Sequence, residues 1–236
     1  MTLAREGWRE MGLATLLCVG GAGLAGWYWG WPAALPLLTV WAWVICFFRD
    51  PARRVNLARG EFCAPADGTV TEITYLDHHD LIEGPAVRIG IFLSIFNVHV
   101  NRSPCAGLVR WVRYSAGRFL DARDPRSGTD NESNTLLIEP AEPLAGPVVV
   151  RQVAGKIARR IICHAAEGDR LEAGARFGMI KFGSRTELIV PAGGTTVTVA
   201  IGAKVKAGET VIVRQAVDPV GAAAGDIEHA GDRPTA

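Results

Sequence analysis

A glycine and a serine, Gly183-Ser184, sit inside the run Gly178-Met179-Ile180-Lys181-Phe182-Gly183-Ser184-Arg185-Thr186-Glu187-Leu188. Glycine has no Cβ to shield its carbonyl, and it tolerates backbone geometry closed to other residues. The serine hydroxyl can therefore attack the preceding carbonyl and turn the amide into an ester. Elimination across that ester breaks the chain and leaves a dehydroalanine, which hydrolyses to an N-terminal pyruvoyl group. A chain that does this makes its own electrophile. Taken alone, a Gly-Ser pair is an ordinary turn signal. Two further segments supply acid–base groups. Pro65-Ala66-Asp67-Gly68-Thr69-Val70 places a carboxylate at a turn leading into a β-like run. Phe96-Asn97-Val98-His99-Val100-Asn101-Arg102 places a histidine in an apolar, alternating segment. Asp67, His99 and Ser184 can form a base-activated nucleophile in which the carboxylate orients the imidazole and the imidazole takes the hydroxyl proton. Singly, Asp67 also suits an Asx turn and His99 a satisfied strand histidine.

Five ordered motifs carry a resemblance: Phe47-Phe48-Arg49-Asp50-Pro51, Pro65-Ala66-Asp67-Gly68, His99-Val100-Asn101-Arg102, Asn131-Glu132-Ser133-Asn134 and Phe182-Gly183-Ser184. With them the chain resembles the phosphatidylserine decarboxylase family in its short bacterial form, from about Phe47 to Val213. The resemblance implies self-cleavage between Gly183 and Ser184, with Ser184 becoming a covalent pyruvoyl cofactor. It implies Asp67 and His99 as the other members of a self-processing triad. The activity it implies is conversion of phosphatidylserine to phosphatidylethanolamine and CO₂ through a Schiff base on the pyruvoyl group, with no metal. The fragments 1–183 and 184–236 would stay together as a heterodimer, within a possible higher oligomer. Longer members carry a second histidine three residues before the triad histidine; here that position is Phe96.

The elements around these residues divide the chain into three. Residues 1–50 read as a helical hairpin anchor, 51–215 as the decarboxylase domain and 216–236 as a disordered tail rich in Ala, Gly, Asp and Pro. No charged residue occurs from Met11 to Phe48, and six of the seven tryptophans fall before residue 44. Gly30-Trp31-Pro32 interrupts the apolar stretch, which predicts helices over 11–28 and 33–48 with an aromatic turn between them. Arg5 and Arg9 precede the hairpin, and Arg49, Arg53, Arg54 and Arg59 follow it. Basic residues at both ends place both ends, and the catalytic domain, on the cytoplasmic face of the cell inner membrane. A hairpin entering only one leaflet is the rival arrangement. A cleaved signal ending near Ala22-Gly23-Leu24-Ala25 is a weaker one, because the uncharged run continues far beyond it.

Beyond Pro51 the pattern changes to short β-branched runs: Thr69–Tyr75, Ala86–Leu93, Leu108–Tyr114, Val148–Val153, Lys156–Cys163, Thr186–Val190 and Thr195–Ile201. The domain is therefore expected to be mainly β. A weak repeat, Gly168–Gly174 and Gly202–Gly208, predicts paired tight turns like the hammerhead corners of barrel-sandwich carrier domains. Ser184 is expected at a hairpin-like tip between the repeats, and Asp121–Asn134 as a long functional loop. The net charge of +1 gives no electrostatic case for nucleic acid, and the five cysteines form no CxxC pair, which suits a reducing compartment.

Other signals compete. Asp77-His78-His79-Asp80 resembles a metal cluster but reads as a solvated turn, and His164 as a strand-end surface residue. Lys181 echoes the lysine tip of biotin carriers without the second flanking methionine. The alternative function is thus a non-catalytic, membrane-tethered β-domain serving as carrier or adaptor.

Overall fold

A computed structural model describes residues 2–217 except 123, 125, 157–159 and 182. A two-residue strand, β1 (Thr2–Leu3), leads into one apolar helix over Arg5–Trp29. That helix comprises α1 (Trp8–Ala14), a wider π-type turn at Thr15–Val19, and α2 (Gly20–Trp29). The chain reverses at Gly30 and returns through Trp31–Ala34 into α3 (Leu35–Phe47), so the break falls where Gly30-Trp31-Pro32 predicts it. Trp27, Tyr28, Trp29 and Trp31 are all exposed around this turn. Small residues let the arms approach closely, and a Cβ on Gly21 would lie 3.3 Å from Leu37. The Thr15 hydroxyl donates to the Met11 carbonyl at 2.8 Å and accepts the Trp41 indole N–H at 3.0 Å. The first arm is long and apolar enough to cross a membrane; the second, Trp31–Phe47, is shorter. β2 (Arg49–Asp50) pairs antiparallel with β1, closing both ends of the hairpin on the same side.

The rest is mostly β. The strands are β3 (Glu61–Cys63), β4 (Gly68–His79), β5 (Gly84–Leu93), β6 (Val100–Arg102) and β7 (Gly107–Ser115). After a one-turn helix, α4 (Ser127–Asp130), come β8 (Ser133–Pro140), β9 (Val148–Ala154), β10 (Arg160–Cys163), β11 (Arg170–Leu171) and β12 (Arg176–Lys181). They are followed by β13 (Ser184–Pro191), β14 (Thr195–Val197), β15 (Lys204–Val205) and β16 (Val211–Gln215). Eight strands form a curled antiparallel sheet in the order β11-β7-β8-β9-β13-β5-β4-β15. Two three-stranded sheets, β10-β12-β6 and β14-β16-β3, pack beside it. Alternation along β5 buries Val87, Ile89, Ile91 and Leu93 in the main core, with Phe62 and Phe177 from the smaller sheets.

The expected internal repeat is a structural pseudo-symmetry. Gly168, Gly174, Gly202 and Gly208 all adopt positive φ, between 72° and 91°, where a side chain would be strained. The Gly168 and Gly202 N–H groups donate to the Val109 and Val70 carbonyls at 2.9 and 2.7 Å. Gly174 and Gly208 donate to Ser103 and Ala64 at 2.8 and 3.0 Å. Each glycine-bounded turn thus clasps the start of a long strand, β7 in one half and β4 in the other. Asp67, immediately before β4, corresponds to Ala106 immediately before β7, so one half carries a carboxylate where the other has a methyl group.

Two expectations need correction. Ser184 is not at a hairpin tip: β12 lies between β10 and β6, whereas β13 lies between β9 and β5 in the large sheet. The chain passes from one sheet to another between Lys181 and Ser184, and Ser184 is 0 % exposed. The Asp121–Asn134 stretch is not all loop, because α4 folds within it and Ser127 and Gly128 are buried. The expected tail lies outside the described residues from 218 onward.

The clasp at β7 gives a stability test away from Ser184. A Cβ on Gly107 would meet the Glu139 carbonyl oxygen at 2.4 Å and the Ile138 side chain at 2.7 Å. Gly107→Ala should destabilise the domain by about 1–3 kcal/mol, read as a lowered thermal midpoint of the detergent-solubilised protein. An unchanged midpoint would show that this contact is not close-packed.

Candidate active site

Ser184 is the first residue of β13 and is held on both sides, opposite Leu93 of β5 and Ala154 of β9. Its Oγ is buried without a hydrogen-bond partner. An unsatisfied buried hydroxyl costs about 1–3 kcal/mol, so its presence calls for a functional reason. Gly183 precedes it with φ +67°. A Cβ on Gly155 would lie 2.4 Å from the Gly183 carbonyl oxygen, so only glycine leaves room for that carbonyl.

His99 comes to the same place from the segment entering β6. Its Nε2 accepts a hydrogen bond from the Gly183 N–H at 3.3 Å, and its Nδ1 lies 3.0 Å from the Asn97 carbonyl oxygen. A carbonyl only accepts, so Nδ1 must carry the proton, and the Nε2 lone pair is turned to the Gly183 N–H, one peptide before the Gly183–Ser184 bond. The Phe47 ring lies over the imidazole, with centroids 4.3 Å apart. Burial pushes the His99 pKa down to about 4, opposed by the Asn97 hydrogen bond and assisted by the charge of Arg49. The imidazole is therefore neutral, as a proton acceptor must be.

Asp67 is buried, but its partners are not those of a triad. Arg53 spans both carboxylate oxygens at 2.7 and 2.9 Å, and the Ala207 N–H donates to Oδ1 at 2.8 Å. The structure brings Gly183, Ser184 and His99 together and does not bring Asp67 to His99. The physical reason is saturation: the His99 Nδ1 is taken by Asn97, and the carboxylate by Arg53. Neither Arg53 nor Phe47 was singled out as a site residue from sequence, and the only local signal was their place in and just after the Phe47–Pro51 motif.

Behind the site runs a buried polar chain. The Asn134 amide donates to Gln152 at 3.2 Å, Gln152 to Asn101 at 2.9 Å, and Asn101 to the Thr186 hydroxyl at 3.0 Å. Asn131 donates to the carbonyls of Leu120 and Ala154 at 2.9 and 2.7 Å, tying the α4 segment to the residue opposite Ser184. The asparagines of two sequence motifs thus set the backbone around Ser184. On the other face of β13, Arg185 pairs with Glu187 at 2.9 Å and with Glu72, which Arg88 also holds at 2.6 Å. Burial raises the Glu72 pKa, but hydrogen bonds from Thr74, Arg185 and Arg88 outweigh it and hold the carboxyl at about 2.

The competing signals resolve separately. His78 and His79 end β4 instead of occupying a turn, and no His/Cys/Asp/Glu group that could hold a metal occurs among the described residues. His164 is exposed just after β10 and bonds Glu6 at 2.8 Å. Lys181 is buried and paired with Glu10 at 2.6 Å, unlike a presented carrier lysine. Phe96 is exposed, and its carbonyl accepts from Arg49 at 2.6 Å.

The family model for phosphatidylserine decarboxylase matches residues 40–213. The chain belongs to that family. It is 46 % identical over 216 residues to a phosphatidylserine decarboxylase proenzyme of Rhodopirellula baltica, covering 91 % of this chain and 88 % of that protein. A proenzyme of the same name from Nitrosomonas eutropha is 40 % identical, over 89 % of this chain and 94 % of its own length. One from Geobacter sulfurreducens is 45 % identical, over 77 % and 82 %.

Two predictions test the family site as it is built here. Asp67→Ala leaves Arg53 buried with Glu209, at 3.5 Å, as its remaining ion-pair partner among the described residues, and should cost roughly 3–5 kcal/mol. If Asp67 acts through Arg53, the double variant Arg53→Met/Asp67→Leu should recover normal chain cleavage in a gel assay. A double variant as slow as Asp67→Ala would instead assign Asp67 to orienting His99. The second concerns pH. The folded His99 pKa of about 4 lies below the ordinary histidine value of 6.5, so between these values the unfolded chain binds the extra proton. Stability should therefore fall as pH drops through that window, and His99→Gln should flatten this part of the thermal-midpoint profile. Equal slopes in both proteins would refute the depressed pKa.

Proposed function

We propose that this chain is a self-processing, pyruvoyl-dependent phosphatidylserine decarboxylase. The observation that carries the reading is the partnerless Ser184 hydroxyl, buried one peptide away from the lone pair of a neutral His99. His99 takes the Ser184 proton as Oγ attacks the Gly183 carbonyl, and the Gly183–Ser184 amide becomes an ester with a free Ser184 amine. Loss of the Ser184 α-proton expels the Gly183 carboxylate and leaves dehydroalanine. Its imine tautomer takes up water and releases ammonia, giving the pyruvoyl group at residue 184. That carbonyl supplies the electron sink into which an amine-bearing substrate can lose CO₂. The residues present fit such a group: Gly155 leaves room beside the Gly183 carbonyl, and no polar side chain competes for Oγ. Phe96 offers no ionisable proton for the carbanion step.

Phosphatidylserine is the substrate named for the relatives, and the apolar hairpin supports a lipid substrate for this chain, since an anchored domain meets it in the plane of the bilayer. The basic residues flanking the hairpin favour the cytoplasmic face of the inner membrane. Fragments 1–183 and 184–236 would remain a heterodimer, because β13 stays laddered to β5 from Ser184 to Pro191 and to β9 from Ser184 to Ile189. The carrier reading has no support from Lys181, whose ammonium is buried in an ion pair.

A denaturing gel of the purified protein should show the two fragments, with the smaller blocked to N-terminal sequencing. Ser184→Ala should stay full length, and His99→Ala should slow cleavage by roughly 10²–10⁴-fold. The cleaved protein should release CO₂ from phosphatidylserine vesicles without added pyridoxal phosphate, and hydroxylamine should abolish this. Full activity in an uncleaved wild-type chain would overturn the proposal.

A further inference from the structure

We infer that Phe47, at the foot of the apolar hairpin, is a positioning residue for His99, so the hairpin supplies one wall of the self-cleavage site. The inference rests on the self-processing role proposed for His99. Phe47 is the last residue of α3 and is 1 % exposed. Its ring lies 4.3 Å from the imidazole, tilted by 34°, and meets Phe48 edge-on at 4.9 Å. Phe48 packs in turn under Gly7, where a Cβ would lie 2.2 Å from the Phe48 ring. Both phenylalanines share a core with Ala4 and Met11 of the N-terminal segment and with Val98, Val100 and Met179 of the β-domain. This core joins residues before Asp50 to the two strands that flank His99.

The imidazole is therefore clamped on three sides. Asn97 holds Nδ1, the Gly183 N–H holds Nε2, and Phe47 covers the ring. Two of these contacts are in-plane hydrogen bonds, which leave the ring free to rock about the line joining them. A ring stacked on its face removes that motion and excludes water. The charged groups around it are few. Arg49, directly after α3, opposes protonation, while the Lys181 ammonium sits 5.8 Å over the Phe48 ring and is neutralised by Glu10. Asp50 is occupied by Arg102 and Arg176 at 2.7 and 3.0 Å. No carboxylate among these is free to pull a proton onto His99 once water is excluded, so removing Phe47 should act by admitting water.

The test measures cleavage rates of freshly synthesised, full-length chains in membranes, on gels, from pH 4.5 to 8. Wild type should cleave at a rate nearly independent of pH above about 5, because the acid limb follows a His99 pKa of about 4. Phe47→Ala should slow cleavage at pH 7 by roughly 10–100-fold, the scale of a misplaced reacting group, and move the acid limb up toward the ordinary histidine range. Phe47→Leu, which keeps most of the volume, should be intermediate in both, and Phe47→Trp should restore rate and limb. Met11→Ala loosens the same core without touching His99 and should cleave normally. If Phe47→Ala misfolds, the Leu and Trp variants carry the same two readouts. Cleavage and pH limb at wild-type values in Phe47→Leu and Phe47→Ala would overturn the inference. So would equal slowing by Met11→Ala and Phe47→Ala with an unmoved limb, which marks mere loss of packing. A wild-type chain that never cleaves, or Ser184→Ala that does, would instead refute the self-processing reading itself.

Discussion

Everything at the centre of this molecule depends on β13 being laddered on both edges from its first residue. Ser184 is fixed opposite Leu93 and Ala154, while the residues before it cross to a different sheet. Backbone pairing pins Ser184 at the point where the chain passes from one sheet to the other. A serine one residue further along would sit within both ladders, away from the crossing. One residue earlier, it would lack the ladder that fixes its direction. The glycines at 183 and 155 fit this boundary: one supplies the positive φ at which the chain changes sheets, and the other the space for the displaced carbonyl.

The polar groups around the site are expensive to bury, and those beneath the serine are bonded to partners remote in sequence. The chain from Asn134 through Gln152 and Asn101 to Thr186 stitches β8, β9, β6 and β13 beneath the serine. A network so fully bonded specifies one arrangement of its strands. The hydroxyl of Ser184, at the edge of this network, is left unbonded. The buried atoms without a partner near Ser184 include its own Oγ, the Arg53 Nε and the Glu187 Oε2, so the network is complete beneath the serine and incomplete at its edges.

Much of this was legible from residue order. The Gly183-Ser184 pair, the histidine it meets, the hairpin break at Gly30 and the two glycine-bounded turns are local signals, and local signals survive in a one-dimensional reading. What escaped was set by topology. Asp67 was expected beside His99 because a triad needs a carboxylate, yet Arg53, fourteen residues earlier in the chain, claims it. Ser184 was expected at an exposed tip because strand–turn–strand reads as a hairpin, and neighbour order in a sheet is not sequence order. Phe47 looked like the end of an anchor, since nothing in an apolar run says which ring will rest on a histidine 52 residues later. The boundary drawn near residue 50 divides a chain whose side chains share a core across it.

The central position of β13 also gives the molecule a direction in time. A strand with neighbours on both edges has to be inserted while the sheet is assembling, and the continuous chain confines it to the right place at little entropic cost. Under the proposed processing, cutting the bond before Ser184 would remove that tether and leave the ladder. Refolding would then be harder after the cut than before it, because a freed fragment would have to find a closed slot from solution. The durability of such a cut form would be a matter of how slowly the sheet opens, more than of how deep its energy minimum lies.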